Sequence, residues 1–188
     1  MCRCPWALNS ELERHYHDTE WGVPQYAADR LFEILLLEGR QAGLSWRTVL
    51  QKREAYRQMT HGFDPHWLAQ ANAEDVAGWM QDSRLIRNRQ KCQALIRNAQ
   101  AWLRLQQQGV DPVAWLWRCV DGRPIASAHR HFSSVPAETK RSRWLSKELK
   151  SAGFVFVGPV ISYAFMQATG MVNDHLIDCF RHAELACR

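Results

Sequence analysis

The sequence predicts an all-α fold in a single domain, 1–188, and three observations carry that reading. Apolar residues recur at helical spacing through most of the chain. The one strand-like run, FVFV at 154–157, is only four residues long. The one long polar interruption, 121–139 (DGRPIASAHRHFSSVPAET), carries Pro124 and Pro136 and reads as a loop.

Taken in order, Leu31, Ile34, Leu35, Glu38 and Ala42 share one face of a first helix. Ser45 is placed to cap a second, with Trp46, Val49, Leu50 and Tyr56 inward. FDP at 63–65 is a helix start, Asp64 as cap and Pro65 in the first turn. Cys92, Leu95, Ile96, Ala99 and Leu103 mark a long amphipathic helix. Ser142 to Lys150 gives another, closed by Gly153, and Pro159 to Thr169 an apolar one closed by Gly170. Asn173 is expected to cap a last helix carrying His175 and Cys179. Within this pattern LLLEGRQAGLSW at 35–46 is discordant, because Glu38 follows three leucines and a carboxylate is costly to bury.

Composition narrows the function. The net charge of +5 points modestly to an anionic partner, of which nucleic acid is the usual one, although charge also serves solubility. Nine tryptophans in 188 residues supply core and leave some free to stack on a flat ligand. No run of about 18 apolar residues exists, so no membrane partner is expected. The start, MCRCPWALNSELERHYHD, has no signal-peptide core, so a cytoplasmic location with reduced cysteines is expected.

Two constellations carry chemistry. His175 and Cys179, four apart, share a face if helical, and Cys4 with His17 from the other end would complete a Cys2His2 set suited to tetrahedral zinc. Cys2 and His15 are alternatives that spacing leaves open, as is a core without metal. Second, DVAGWMQDSRLIRNRQKCQALIRNAQAWL reads as helix, polar break and helix. No acid lies between Ser83 and Ala101, while Arg84, Arg87, Arg89, Lys91 and Arg97 are basic. Such a hairpin presents backbone N–H groups and cations to phosphate, or it is a solvated face. The cluster TKRSRWLSKELK, which includes Glu148, reads as a solvated helix face.

YHDTEWGVP, LLLEGRQAGLSW, FDP, GFVFVG and SYAFMQATGMVNDH resemble, in order and from Arg3 to Cys179, the signature blocks of bacterial 3-methyladenine DNA glycosylase I. The resemblance implies a helix-hairpin-helix glycosylase fold whose termini are joined by one structural zinc on Cys4, His17, His175 and Cys179. It maps the hairpin element onto roughly 75–101, with the glycine-free turn LIRNR and DNA contacts from Arg87, Asn88, Arg89 and Lys91. It makes Glu38 the catalytic and recognition carboxylate of a base pocket lined by Trp6, Tyr16, Trp21 and Trp46. Some relatives carry tyrosine where this chain has Glu13, a departure in the pocket wall. It makes Gly43 and Leu44 a turn that wedges into double-stranded alkylated DNA once the damaged nucleotide is flipped out. The implied reaction is monofunctional excision of 3-methyladenine, released as free base, by a monomer. The competing readings are a helical glycosylase for another alkylated base such as 7-methylguanine, and a zinc-containing DNA-binding module without catalysis.

Overall fold

A computed structural model describes residues 2–186. Its helices are α1 (Glu11–Thr19), α2 (Ala28–Gln41), α3 (Trp46–Met59), α4 (Pro65–Gln70), α5 (Ala73–Gln81), α6 (Arg89–Gln107), α7 (Pro112–Trp117), α8 (Lys140–Ser151), α9 (Pro159–Ala168) and α10 (Phe180–Ala186). Short 3-10 turns lie at Pro5–Leu8, Arg118–Val120 and Phe132–Ser134.

Four other helices pack around α2. Every residue from Leu31 to Arg40 is buried, and α3, α6, α7 and α9 lie against it. A helix enclosed on all sides is normally apolar all round. Here the enclosed stretch contains Glu33, Glu38 and Arg40. Glu33 is neutralised locally: its Oε1 accepts from Arg53 Nε at 2.8 Å and from Arg57 Nε at 3.0 Å, and Arg30 holds its other oxygen. Glu20 joins the network through Arg53 Nη1 at 2.8 Å and Arg30 Nη2 at 3.0 Å. Burial works to raise the Glu20 pKa, but the two guanidiniums outweigh it and the carboxyl ends below its ordinary value. Arg40 donates to the carbonyl of Lys91 on α6. Glu38 Oε2 has no partner among the described residues.

The long helix α6 buries Cys92, Leu95, Ala99 and Trp102, with Trp102 5.0 Å from Phe32 of α2, ring to ring. Leu103, expected on that face, is only half-buried, because the inward stripe runs through Trp102 one position earlier. Capping follows the sequence in several places. Ser45 accepts from Thr48 N at 3.2 Å, and Asp64 accepts from His66 N at 2.8 Å. The α8 start lies slightly upstream of Ser142, where Thr139 and Ser142 form a capping box. Gly170 closes α9 as expected, with φ +70°. A Cβ there would also meet Pro24 N at 2.4 Å and Val23 C at 2.5 Å, so the residue admits a close backbone crossing.

Three expectations fail. FVFV is not a strand. Phe156 sits at φ +57°, which breaks an extended run, and side chains rather than a neighbouring strand satisfy the backbone. Asn98 brackets Val155, donating to its carbonyl at 3.1 Å and accepting from its N–H at 2.8 Å, while Ser146 donates to Val157 O at 2.6 Å. The strands that do form among the described residues are β1 (Ile125–Ala126), inside the expected long loop, and β2 (Val172–Asn173). They pair in parallel with Ile125 opposite Val172 and Ala126 opposite Asn173. Asn173 therefore belongs to a strand and caps no helix; the last helix begins only at Phe180, and His175 and Cys179 lie on the segment before it. No helix among the described residues is long and apolar enough to cross a membrane.

Candidate active site

The site starts from α1. Ser10 caps it, accepting from Glu13 N at 3.2 Å and donating to Glu13 Oε2 at 2.7 Å. Glu13, Tyr16 and His17 stand at i, i+3 and i+4 and are all buried. From this one face Tyr16 reaches a cavity and His17 reaches a cluster of metal-ligand type.

That cluster comprises Cys4, His17, His175 and Cys179, all buried, with their ligand atoms within 4.8 Å of one another. The loop geometry brings His175 and Cys179 together without the helix that the spacing suggested. His17 Nε2 and His175 Nδ1 are 3.2 Å apart; Cys179 Sγ is 3.4 Å from the first and 3.6 Å from the second, and Cys4 Sγ is 3.7 Å from His175 Nδ1. Tetrahedral zinc with bonds of ~2.05 Å to nitrogen and ~2.3 Å to sulfur separates its ligands by about 3.3 Å (N to N) and about 3.6 Å (N to S). The outer ring nitrogens are tied as zinc ligands require: His17 Nδ1 lies 2.8 Å from Asp18 Oδ1, and His175 Nε2 3.1 Å from the Trp21 carbonyl. Cys2 and His15, the alternatives from spacing, are both exposed and outside the cluster.

Against the other side of this cluster stand the aromatics. Trp6 packs edge-on to His17 at 5.3 Å and to Trp21 at 5.1 Å, and Trp21 meets His175 at 4.5 Å. Tyr16 lies 5.4 Å from Trp46, the first residue of α3. Together they wall a cavity of about 400 Å³ that also receives Glu13, Glu38, Gln41 and Asp174. Every pocket residue expected from the sequence, Trp6, Tyr16, Trp21, Glu38 and Trp46, lines it.

The electrostatics of the cavity are unbalanced. Among the described residues, Glu38 Oε2 and Trp46 Nε1 are buried without a partner, and Asp174 Oδ1 is buried without a hydrogen bond, with His129 Nε2 3.7 Å away. Such atoms cost about 1–3 kcal/mol each, more when charged, unless a ligand supplies the missing bond. Burial pushes the Glu38 carboxyl up to about 8. The Tyr16 hydroxyl is raised well above its ordinary value, first by burial and then by Glu38, so it stays a neutral phenol that donates. Asp174 was not singled out from sequence. Its Oδ2 accepts from Tyr163 at 2.6 Å and Gln167 at 2.7 Å, and only its place in the SYAFMQATGMVNDH block hints at a role.

Gly43 and Leu44 form the exposed turn between α2 and α3, with Gly43 at φ +74° and Leu44 40 % exposed. Nearby, Asp82–Asn88 links α5 to α6, and Arg87, Asn88 and Arg89 point outward. Asn88 caps α6, accepting from Lys91 N at 3.0 Å. Lys91 itself, expected among the phosphate-facing cations, is turned inward. It is 5 % exposed, because its ammonium satisfies the last carbonyls of α2, Arg40 O at 2.7 Å and Ala42 O at 2.6 Å.

Residues 6–182 match the family model of methyladenine glycosylase. The chain belongs to that family. It is 47% identical over 177 residues to DNA-3-methyladenine glycosylase of Haemophilus influenzae, covering 94% of this chain and 96% of that one. It is 48% identical over 179 residues to DNA-3-methyladenine glycosylase 1 of Escherichia coli, covering 95% and 96%. A crystal structure of 3-methyladenine DNA glycosylase I matches with a TM-score of 0.94 at 47% identity, covering 95% of this chain and 98% of that one. For this methyladenine glycosylase, the cavity over Glu38 is thus the place to seek the chemistry.

The proton on Glu38 gives a test. The folded protein holds it up to about pH 8, whereas an unfolded chain releases it near 4.5. Between those values the native state binds more protons, so this group makes stability fall as pH rises, by at most about 1.4 kcal/mol per pH unit. Glu38→Gln lacks the effect. In urea melts the wild-type stability minus that of Glu38→Gln is expected to decline from about pH 5 to about pH 8. A difference that stays flat across this window would show Glu38 ionised in the folded protein.

Proposed function

We propose that this protein is a monofunctional DNA-3-methyladenine glycosylase that flips the damaged nucleotide out of duplex DNA and hydrolyses its N-glycosidic bond over Glu38. The observation that carries this reading is the aromatic cavity in which a buried carboxylate is left without a protein partner. A neutral ligand would leave that carboxylate protonated, while a cationic base draws it into the ionised form.

N3-methylation makes the attached adenine cationic. On cleavage the C1′–N9 bond breaks and its electron pair passes to the base, which leaves neutral. The sugar becomes an oxocarbenium-like centre that takes the oxygen of water, and the water's proton is released. The base needs no protonation, so no general acid is required for departure. What the chain must supply is access, recognition and charge stabilisation. Trp46 and Trp6 flank the base, with cation–π attraction of about 0.5–2 kcal/mol per good contact. The Tyr16 hydroxyl and Glu38 address its edge. The methyl group alone discriminates by only about 1–3 kcal/mol. The weak bond of the cationic nucleotide provides the rest of the selectivity. Flipping costs a few kcal/mol; Leu44 at the tip of the α2–α3 turn fills the vacated stack, and Gly43 lets the backbone approach.

The α5–turn–α6 hairpin, within roughly 75–101, is the DNA anchor in this reading. The exposed Arg87 and Arg89, the Asn88 cap and the first free N–H groups of α6 face phosphate. The donor set and its spacings suit zinc, held by Cys4, His17, His175 and Cys179. With four protein ligands and tied imidazoles the ion would be structural, fastening the first residues to the last under the Trp6–Trp21 wall.

Glu38→Gln is expected to fold and to lose single-turnover excision by on the order of 10²-fold on methylated duplex DNA. The wild type should release 3-methyladenine in preference to 7-methylguanine; Glu13 in the pocket wall makes that comparison informative. Preferential release of 7-methylguanine, or a Glu38→Gln rate near wild type, would refute the reading. Metal analysis should find about one zinc per chain, and exhaustive chelation should lower the melting temperature. Complete zinc loss with unchanged melting would remove the clasp.

A further inference from the structure

Lys91 and Arg40 form a buried, reciprocal link between two parts of the DNA-facing surface. Lys91 Nζ donates to Arg40 O at 2.7 Å and to Ala42 O at 2.6 Å, and the Arg40 guanidinium donates back to Lys91 O. Both residues are buried, Arg40 to 1 % and Lys91 to 5 % exposure. No salt bridge engages either of them among the described residues. Two cations enclosed together without a carboxylate are an expensive way to stabilise a fold. What holds them is backbone: the carbonyl end of α2, where the helix dipole is negative, and a carbonyl in the first turn of α6. Two further bonds tie the same hairpin to α3. Tyr56 Oη accepts from Ile86 N at 3.1 Å, and Lys52 donates to Ser83 O at 2.9 Å.

The link joins two features that must act at a fixed separation. On one side, Ala42 leads directly into Gly43 and Leu44. On the other, Lys91 lies in the first turn of the helix that Asn88 caps beside Arg87 and Arg89. A turn of four residues with a glycine at φ +74° has little stiffness of its own. Its position is set by the helix ends it joins: Leu44 N donates to Gln41 O at the end of α2, which Lys91 ties to the hairpin, and Ser45 caps α3.

We propose that Lys91 is a positioning residue for base flipping: it clamps the C-terminal end of α2 to the hairpin, so that the hairpin's grip on the DNA backbone sets where Leu44 enters the duplex. This rests on the reading of Leu44 as the wedge and of the hairpin as the anchor. Lys91 touches neither base nor phosphate in this role. It acts through the turn, and a shift of about 1 Å at a reacting geometry costs on the order of 10²-fold in rate.

The test is a double-mutant cycle on single-turnover excision from methylated duplex DNA, with Lys91→Met, Leu44→Ala and both together. Lys91→Met keeps the length of the side chain and removes its donors. It is expected to slow excision by on the order of 10²-fold. Affinity for free 3-methyladenine should be unchanged, because the cavity is untouched. Affinity for undamaged duplex should stay within about threefold, because the phosphate contacts remain. In the Leu44→Ala background the same change should cost less than about threefold, since the wedge it positions is already gone. If Leu44→Ala slows excision and Lys91→Met still costs its full factor on top, the proposal is overturned and the wedge reading survives. If Leu44→Ala excises at the wild-type rate, both fall. Should Lys91→Met prove too unstable to purify, Lys91→Gln, which keeps an uncharged amide NH2 donor on a shorter side chain, is run through the same cycle. It should show a smaller loss that again vanishes in the Leu44→Ala background, and a loss that persists there would overturn the proposal equally.

Discussion

The fold depends on burying α2 on every side although three of its ten enclosed residues are charged or chargeable. A charge taken out of water needs a partner or it needs to be neutral. The protein meets this demand differently for each residue. Glu33 is surrounded by Arg30, Arg53 and Arg57. Arg40 and Lys91 exchange bonds with each other's backbone. Glu38 receives nothing from the described residues and is held protonated by burial up to about pH 8. Among the described residues, Arg40 Nε and Nη2 are also buried without a partner, so the helix leaves demand unmet at Arg40 as well as at Glu38. Of the two it is Glu38 that faces the cavity, where a cationic base would answer it.

The cavity and the Cys–His cluster share a wall. Tyr16 and His17 are adjacent on α1, one serving each side, and Trp6 and Trp21 rest on the imidazoles of His17 and His175. The Trp21 carbonyl also accepts from the outer nitrogen of His175 at 3.1 Å. An ion held by the cluster would therefore stiffen the surface on which a base would stack. This gives a structural ion a bearing on binding even though it would hold no substrate.

Much of this was legible in the sequence. The starts of α3 and α4 follow from Ser45 and Asp64, and the end of α9 from Gly170, because caps and glycine stops are local chemistry. The pocket residues were legible only through resemblance to a family, since Trp6 and Trp46 are 40 positions apart and no periodicity brings them together. His175 and Cys179 were found for a wrong reason: the i, i+4 spacing suggested a helix, but strand pairing of Val172–Asn173 with Ile125–Ala126 and the short segment to Phe180 place them. FVFV looked like a strand because nothing in four residues reveals that Asn98, distant in sequence, and Ser146 on the preceding helix satisfy its backbone. Lys91 looked like a surface cation because its charge is visible and the carbonyls of Arg40 and Ala42 that claim it are not. The Glu20–Glu33–Arg53 network and the buried carboxyl group of Asp174 were likewise invisible, being products of long-range packing.

The most direct measurement concerns charge. Calorimetry should compare binding of a permanently cationic, doubly alkylated adenine with that of a neutral isostere, in the wild type and in Glu38→Gln. The wild type is expected to favour the cation by at least about tenfold, or 1.4 kcal/mol, and Glu38→Gln to lose that preference. An undiminished preference for the cation in Glu38→Gln would contradict the assignment of the unpartnered carboxylate as the group that reads the damaged base.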